Sequence, residues 1–498
     1  MTKIDFGGRP FHFMGVGGIG MSALAYVLAK RRFLVSGSDV RSSHITERLE
    51  AVGVHVFTRQ EASNLELFQA LQVQTGARLP VAVGGQSERS TSVLAASNGN
   101  GRHQAKMLPQ VICSTAIASH NPEYQAAIEK GCPIFHRSDV LAALINEYEG
   151  IGVAGTHGKT TTSSLIGFML LQAGLDPTVV VGGEVDAWDG NARLGEGKYL
   201  VAEVDESDGS LTKHHPKIGI VTNIELDHPD HYSSLDEVVT IFKAFEEHCE
   251  TLIGCVDCEV VRSRLNLGIT CSLHQDADYQ AKNISYNAQG SRCQVWERGQ
   301  LLGEMQVSLP GDHNISNALA AVAVGRLLGL EFKVIAQAIA AFGGAKRRFE
   351  VKGFCKGITF IDDYAHHPSE LLATLAAARQ KVTHGKYERV VAIFQPHRYS
   401  RTHSFLAEFA TAFKDADLVI LTDIYSAGET NVHNIQGEDL ARAVSDHHDQ
   451  VIYQPSLTEL PQFLPKLLKS GDLALFLGAG NLNQQIPDVI TACSAIKD

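Results

Sequence analysis

The sequence predicts an α/β protein of three domains, each built on a mostly parallel sheet. Three observations carry that expectation. The 498 residues are too many for one hydrophobic core. Two glycine-rich turns, at 15–20 and 155–158, each follow an apolar strand-like run and precede an apolar helix. The last third alternates strand-like and helix-like segments, the rhythm of βαβ units. Boundaries are expected near 145 and 350, giving domains 1–145, 146–350 and 351–498.

Composition narrows the function classes. With 44% hydrophobic and 20% charged residues the chain reads as soluble and globular. A net charge of −12 argues against nucleic acid as a partner, because such binding rests on Lys and Arg neutralising phosphates. No apolar run reaches the ~18 residues of a membrane span. The start, MTKIDFGGRPFHFMG, lacks the basic and apolar regions of a signal peptide. Nine scattered cysteines, an odd number, fit reduced thiols and a cytoplasmic location. Cys255 and Cys258 form a lone C-x-x-C without a second pair at zinc spacing, read as incidental.

In the first domain, residues 11–16 read as a strand, 21–30 as a helix and 33–38 as a second strand ending at Asp39. Gly15, Gly17 and Gly20 between them fit G-x-G-x-x-G, the Rossmann-like dinucleotide fingerprint, with Asp39 at the acidic position. The same turn suits any diphosphate, since glycine backbone and a helix N-terminus recognise phosphate rather than nicotinamide. Further strands are expected at 54–57 and 111–114. Residues 74–108, rich in Gly, Ser, Asn and Gln, read as a surface insertion.

The second domain opens on the strand 151–154 and on Gly155-Thr-His-Gly158-Lys159-Thr160-Thr161, followed by a helix to about 172. That strand, loop and helix form a cradle for a nucleoside triphosphate: glycines let N–H groups close on phosphate oxygens. Lys159 can reach the β- and γ-phosphates and the Thr160 hydroxyl a Mg²⁺. Val153 stands where the strict phosphate-loop pattern has its first glycine. Strands at 199–204 and 218–222 run into Asp205-Glu206-Ser-Asp208 and Asn223-Ile-Glu225-Leu-Asp227-His228. Carboxylates at the carboxyl ends of parallel strands, beside a phosphate loop, suit Mg²⁺. A helix over about 314–330 follows Asp312-His313, with Asn314 or Asn317 available to cap it. In the third domain strands are expected at 359–361, 390–394, 418–422 and 473–477.

Taken together, GVGGIGMS (15–22), GTHGKTTT (155–162), DESD (205–208), TNIELDH (222–228), DHNISNALAA (312–321), KRRF (346–349), DDYAHHP (362–368), FQPHRYSRT (394–402) and DIYSAGE (423–429) resemble the Mur ligase family. The resemblance spans nearly the whole chain apart from 74–108. GVGGIGMS, FQPHRYSRT and DIYSAGE resemble the member that adds L-alanine. The resemblance implies three α/β domains that bind a UDP-sugar, ATP and an amino acid in turn. It implies that ATP, with Mg²⁺ or Mn²⁺, phosphorylates the carboxylate of UDP-N-acetylmuramate to an acyl phosphate. The amine of L-alanine then attacks it, in peptidoglycan precursor synthesis.

Site residues follow from the same resemblance. Gly155, Thr156, His157, Gly158, Lys159, Thr160 and Thr161 would frame the ATP phosphates, with Thr160, Glu206 and His228 at the metal. His313, Asn314 and Asn317 would meet adenine, while Arg348 and Asp363 reach ATP from the hinge and the third domain. Tyr364, His366, Arg398 and Arg401 would form the alanine pocket, where an arginine pair suits an α-carboxylate. Gly15, Gly17, Gly18 and Ile19 would lie at the UDP diphosphate, with Asp39, Ser114, Thr115 and Arg137 near the nucleotide sugar. Lys159, Glu206, His228 and His366 would carry the chemistry. His367 is expected to be a packed or solvent-facing histidine, and Lys243 an exposed helical lysine. Rival readings are a sister ligase that recycles a preformed tripeptide, an NAD-dependent dehydrogenase and a non-catalytic sugar-nucleotide sensor.

Overall fold

The computed structural model describes residues 3–68, 108–287, 289–385 and 387–495. The expected insertion at 74–108 falls outside them except for Leu108. The chain forms two compact units, 1–147 with 191–194, and 148–190 with 195–498.

In the first unit β1 (Phe11–Met14), β2 (Val35–Ser38), β3 (His55–Phe57), β4 (Gln110–Cys113) and β5 (Ile134–His136) form one sheet in the order 3-2-1-4-5. Every pairing is parallel. The strand order reverses between β1 and β4, so their carboxyl ends flank the crevice where such sheets take ligands. Beneath it lies a buried polar network. His12 contacts Ser36 at 2.7 Å and Glu123 at 2.8 Å. Glu123 also accepts from the Ser38 hydroxyl and from Asn64. His12 and Glu123 are wholly buried, and each finds the partners that burial demands. One contribution comes from far along the chain. Asn191, on the short strand β8 (Gly190–Arg193), donates to the Ile19 carbonyl and the Ser22 hydroxyl.

The second unit carries two sheets. The first comprises β6 (Glu149–Ala154), β7 (Thr178–Val185), β9 (Tyr199–Glu203), β10 (Ile218–Val221), β11 (Thr251–Cys255), β12 (Ile269–Ser272), β13 (Tyr279–Asn287), β14 (Gly290–Glu297) and β15 (Gln300–Val307). They lie in the order 15-14-13-12-11-10-6-9-7. From β13 to β7 the neighbours are parallel, while β13, β14 and β15 form an antiparallel meander that the sequence reading omitted. The helix Lys159–Gln172 is buried from Thr160 to Leu170 and packs with the helix Asp312–Leu327 in one large core. A helix buried all round presents no amphipathic stripe.

The other sheet is β16 (Glu350–Cys355), β17 (Ile358–Asp363), β18 (Arg389–Phe394), β19 (Leu418–Leu421), β20 (Val451–Tyr453) and β21 (Asp472–Leu477), ordered 16-17-21-18-19-20. Only β16 is antiparallel. The central strands β17 and β21 are buried along their whole length, between two apolar clusters. No helix among the described residues is long and apolar enough to cross a membrane.

Replacing Glu123 by Ala should expose the dependence of the first unit on its polar network. Three buried groups lose their acceptor, at roughly 2–4 kcal/mol in sum. Amides of β1 and β4 that exchange through unfolding of that unit should then exchange about 30- to 1000-fold faster. Unchanged protection in hydrogen-exchange mass spectrometry would make the network dispensable.

Candidate active site

The phosphate loop is a backbone construction. Gly155 has φ +136° and Gly158 φ +80°, and a Cβ on Gly155 would stand 2.0 Å from the Thr222 hydroxyl. The loop leans on the end of β10: the Thr156 and His157 amides donate to the Asn223 carbonyl and side-chain oxygen, and the Thr222 hydroxyl donates to the His157 carbonyl. The helix Lys159–Gln172 begins at Gly158 with no side-chain cap, so its first N–H groups face the loop. Lys159 Nζ donates to the carbonyls of Gly155 and Thr156 and to both oxygens of Glu206 at 2.9 Å. Burial works against the ammonium, but Glu206, Asp205 and Glu203 outweigh it and raise its pKa. Burial lifts Glu206 to about 7 against the pull of Lys159.

A cavity of about 300 Å³ opens beside the loop. Its walls include His157, Gly158, Thr161, His313, Asn314, Asn317, Arg348 and Asp363. Eight residues expected at ATP therefore share one cavity, with Gly155, Thr156, Lys159 and Thr160 in the adjoining loop. Arg348 Nη2 lies 3.5 Å from the Thr160 hydroxyl. Asp363, at the end of β17, accepts from the Phe349 and Ala365 amides, and burial raises its pKa to about 6. The structure corrects the capping alternative for the two asparagines. The helix Asp312–Leu327 has Gly311 at its cap, Asn314 donates to the Pro310 carbonyl, and Asn317 donates to Asn314. Cys255 and Cys258, read as incidental, both stand on the cavity wall.

A second cluster lies where β18 and the loop after β10 meet. Arg401, 3% exposed, reaches Asp227 through Nε at 3.0 Å and Nη2 at 2.9 Å. Burial would raise the Asp227 pKa, but Arg401 and then His228 hold it far below the carboxylate range. His228 Nε2 sits 3.7 Å from Asp227. Burial lowers the His228 pKa, so the ring is neutral at pH 7. Arg398 pairs with Asp230 at 2.7 Å and Glu429 at 3.3 Å. His366 packs edge-on to Tyr364 and to His397, and burial lowers its pKa to about 4. His228 and Arg398 hold φ of 54° and 70°, strained for non-glycine residues.

In the first unit, Asp39 accepts from the Gly17 amide at 2.9 Å, tying the glycine turn to the end of β2. Gly18 caps the helix Ile19–Lys30 without a side-chain bond, leaving its N–H groups for an anion. Ser114 and Thr115 follow β4, and Arg137 opens the helix after β5 with its side chain near Gly20.

Three family models cover this chain: Mur ligase family, catalytic domain, at 10–149; Mur ligase middle domain at 153–325; and Mur ligase, glutamate ligase domain, at 347–480. A UDP-N-acetylmuramate–L-alanine ligase of Synechocystis is 72% identical over 99% of this chain and 98% of its own. One from Crocosphaera subtropica is 66% identical over 98% and 96%. The chain belongs to the Mur ligase family. Among solved structures, UDP-N-acetylmuramate-alanine ligase from Thermotoga maritima superimposes with a TM-score of 0.77, at 26% identity over 97% of this chain and 98% of that one. A murein peptide ligase from Psychrobacter arcticus shares the fold, with a TM-score of 0.68 at 21% identity and coverage of 99% and 100%.

Within this Mur ligase, sequence reasoning treated Asp227 and Glu225 only as open carboxylates at a strand end. Instead Asp227 is committed to Arg401, and Glu225 faces His157 and Ser369. Asp230, Glu429 and Glu370 were not singled out at all, and only tertiary contact reveals them. His367 is buried and caps the helix Pro368–His384, whereas Lys243 lies exposed on the helix Leu235–Glu247.

Gly155→Ala should cripple nucleotide binding without unfolding the chain. The φ of +136° is open essentially to glycine alone and costs another residue about 1–3 kcal/mol, before the clash with Thr222. ATP affinity, read by equilibrium dialysis, should fall at least about tenfold. Wild-type affinity would mean that the loop does not hold the phosphates.

Proposed function

We propose that this Mur ligase joins L-alanine to the carboxylate of UDP-N-acetylmuramate, using ATP, in the synthesis of peptidoglycan precursors. The near full-length similarity to ligases of that name supports the substrates. The observation that carries the reading is the meeting of a phosphate loop with an arginine-bearing strand end. His228 links the two: it feels the charge of Lys159, which is paired with Glu206, and those of Asp227 and Arg401, which are paired with each other.

In the first half-reaction a carboxylate oxygen takes the γ-phosphoryl group, the bond to ADP breaks and an acyl phosphate forms. In the second the alanine amine attacks the carbonyl, phosphate leaves and a proton is lost from nitrogen. Such chemistry is mainly positioning and charge stabilisation. The loop amides and Lys159 hold the phosphates. To do so Lys159 exchanges Glu206 for phosphate oxygens, which releases the carboxylate. Glu206 and the Thr160 hydroxyl are hard oxygen donors that fit Mg²⁺ or Mn²⁺, with neutral His228 as a softer third ligand. The bound cation would neutralise charge on the β- and γ-phosphates.

Asn314 and Asn317 offer amides to adenine, His313 packs beside it, and Arg348 and Asp363 approach ATP from the third sheet. For alanine, Arg398 supplies the guanidinium fork, with Tyr364 and His366 alongside. His366 Nδ1 lies 2.8 Å from the Tyr364 carbonyl, an acceptor, so Nδ1 carries the proton and Nε2 can accept. Arg401, locked on Asp227, shapes the pocket wall. In the first unit Gly15, Gly17, Gly18 and Ile19 meet the UDP diphosphate, with Asp39, Ser114, Thr115 and Arg137 around the nucleotide sugar. The enzyme acts in the cytoplasm, where its nucleotide substrates are made.

The deciding experiment incubates purified protein with ATP, Mg²⁺, UDP-N-acetylmuramate and either L-alanine or a cell-wall tripeptide. Phosphate release and a product mass gained only with alanine are expected. A product with the tripeptide alone would identify the recycling ligase instead.

Three outcomes follow. Lys159→Ala should lower turnover by on the order of 10²–10³ while the sugar nucleotide still binds, as calorimetry would show. Arg398→Ala should raise the alanine KM at least about thirtyfold, and Arg398→Lys should already be impaired because the fork is lost. Acyl-phosphate trapping without alanine should change far less, and equal losses would put Arg398 at the phosphoryl group. Finally, Glu206 binds metal only when ionised. With its pKa raised to about 7, the Mg²⁺ concentration for half-activity should climb as pH falls below 7 and level off above it. A flat Mg²⁺ requirement from pH 6 to 8 would remove Glu206 from the metal site.

A further inference from the structure

The His157 side chain reaches from the phosphate loop to the start of the helix Pro368–His384 and stands between two carboxylates. Its Nδ1 is 3.2 Å from Glu370 Oε1, and its Nε2 is 3.5 Å from Glu225 Oε2. An ionised carboxylate only accepts, so each ring nitrogen meets its neighbour as an N–H and the ring is an imidazolium. Burial works against that charge, but Glu370 and Glu225 outweigh it and raise the His157 pKa to about 10. His367 is the third titratable group against the ring, with ring centres 4.8 Å apart. Its Nδ1 accepts from the Ser369 amide, and burial lowers its pKa, so it adds no charge at neutral pH.

Both ends of this bridge are anchored. On the loop side the His157 amide donates to the Asn223 side chain, and its carbonyl accepts from Thr222 and Asn223. On the helix side Glu370 Oε2 accepts from the His366 and His367 amides at 2.9 and 3.2 Å, which leaves Oε1 for His157. Glu225 also accepts from the Ser369 hydroxyl. One ring therefore joins the end of β10 to the stretch 363–370, which carries Asp363, Tyr364 and His366 between β17 and the helix. With both N–H groups committed to carboxylates, the ring has none left for a phosphate oxygen.

We propose that His157 is a positioning residue: held as an imidazolium between Glu225 and Glu370, it sets Asp363, Tyr364 and His366 against the phosphate loop rather than contacting phosphate itself. This rests on the nucleotide and alanine sites argued above. Removing one member strands its partner's charge in a buried place, whereas removing both is milder.

The test uses the full chain as His157→Gln, Glu370→Gln and the double variant. At 370 a carboxamide keeps one oxygen for the His366 and His367 amides, so the helix cap survives, and turns its NH₂ toward His157, donor against donor. In the double variant the two amides can pair. Each single change should raise the ATP KM at least about fivefold, and the double should be no worse than either single. Affinity for the sugar nucleotide, read by calorimetry, should stay as in the parent. In addition, ¹⁵N-histidine spectra of the unaltered chain at pH 8 should show both ring nitrogens of His157 protonated, the signal being assigned by its loss in His157→Gln. A singly protonated ring at pH 8, parent ATP KM in both single variants, or a double variant impaired by the product of the two single losses would overturn the proposal. Lys159→Ala separates the two levels. Parent turnover in that variant would overturn the nucleotide site and this proposal with it, whereas a crippled Lys159→Ala beside multiplicative losses would overturn this proposal alone.

Discussion

The buried pair of Asp227 and Arg401 is the interaction on which the second unit's working geometry depends. Its partners come from different sheets, one from the loop after β10 and one from the helix after β18. Removing either would leave an uncompensated charge at about 3–5 kcal/mol, far more than an exposed pair is worth. Neighbouring groups take their state from it. His228, 3.7 Å from Asp227, stays neutral through burial and the Arg401 charge. Its left-handed backbone follows directly on the Asp227 anchor. The pair also explains why two arginines three positions apart differ: Arg401 is built in, whereas Arg398 is a third exposed and held by carboxylates at the rim.

Legibility in the sequence tracked how local the physical demand was. Both glycine turns could be read because a diphosphate or triphosphate requires backbone that only glycine supplies close by. Strands such as β17, β18 and β21 could be read because burial on both faces leaves an unbroken apolar run. The meander β13–β15 could not, since breaks such as Lys282-Asn283 and Leu301-Leu302-Gly303 interrupt the polar–apolar alternation that marks a half-buried strand, and the pairing shifts register between Lys282 and Ser285 and between Val295 and Trp296. The helix beginning at Asp312 was expected two residues late, because Gly311 starts it without a capping side chain.

Site residues divide the same way. Lys159, Thr160, Asn314 and Asp363 belong to short motifs whose spacing carries their chemistry. Glu225, Asp230, Glu370 and Glu429 were missed or left unassigned because their partners lie far away in the chain. Glu370 sits three residues beyond His367, where a capping-box acid is ordinary, and it does accept from the His366 and His367 amides. Nothing local says that it also faces His157.

Charge bookkeeping explains why the cationic loop can wait for its ligand. Lys159 is paired with Glu206 and feels Asp205 and Glu203 as well, so its charge is already compensated before a nucleotide arrives. ATP brings negative charge and would be repelled by those carboxylates alone. In the proposed reaction a divalent cation entering with it would compensate the carboxylate that Lys159 gives up. The exchange moves Lys159 from one anion to another without leaving an isolated charge in a buried place, which is the costly alternative. Glu206, lifted to about 7 by burial, holds its proton far more readily than an ordinary carboxylate. If Glu206 holds the metal as proposed, metal and nucleotide binding would be coupled through one carboxylate, each favoured once the other has taken its share of Lys159 or Glu206.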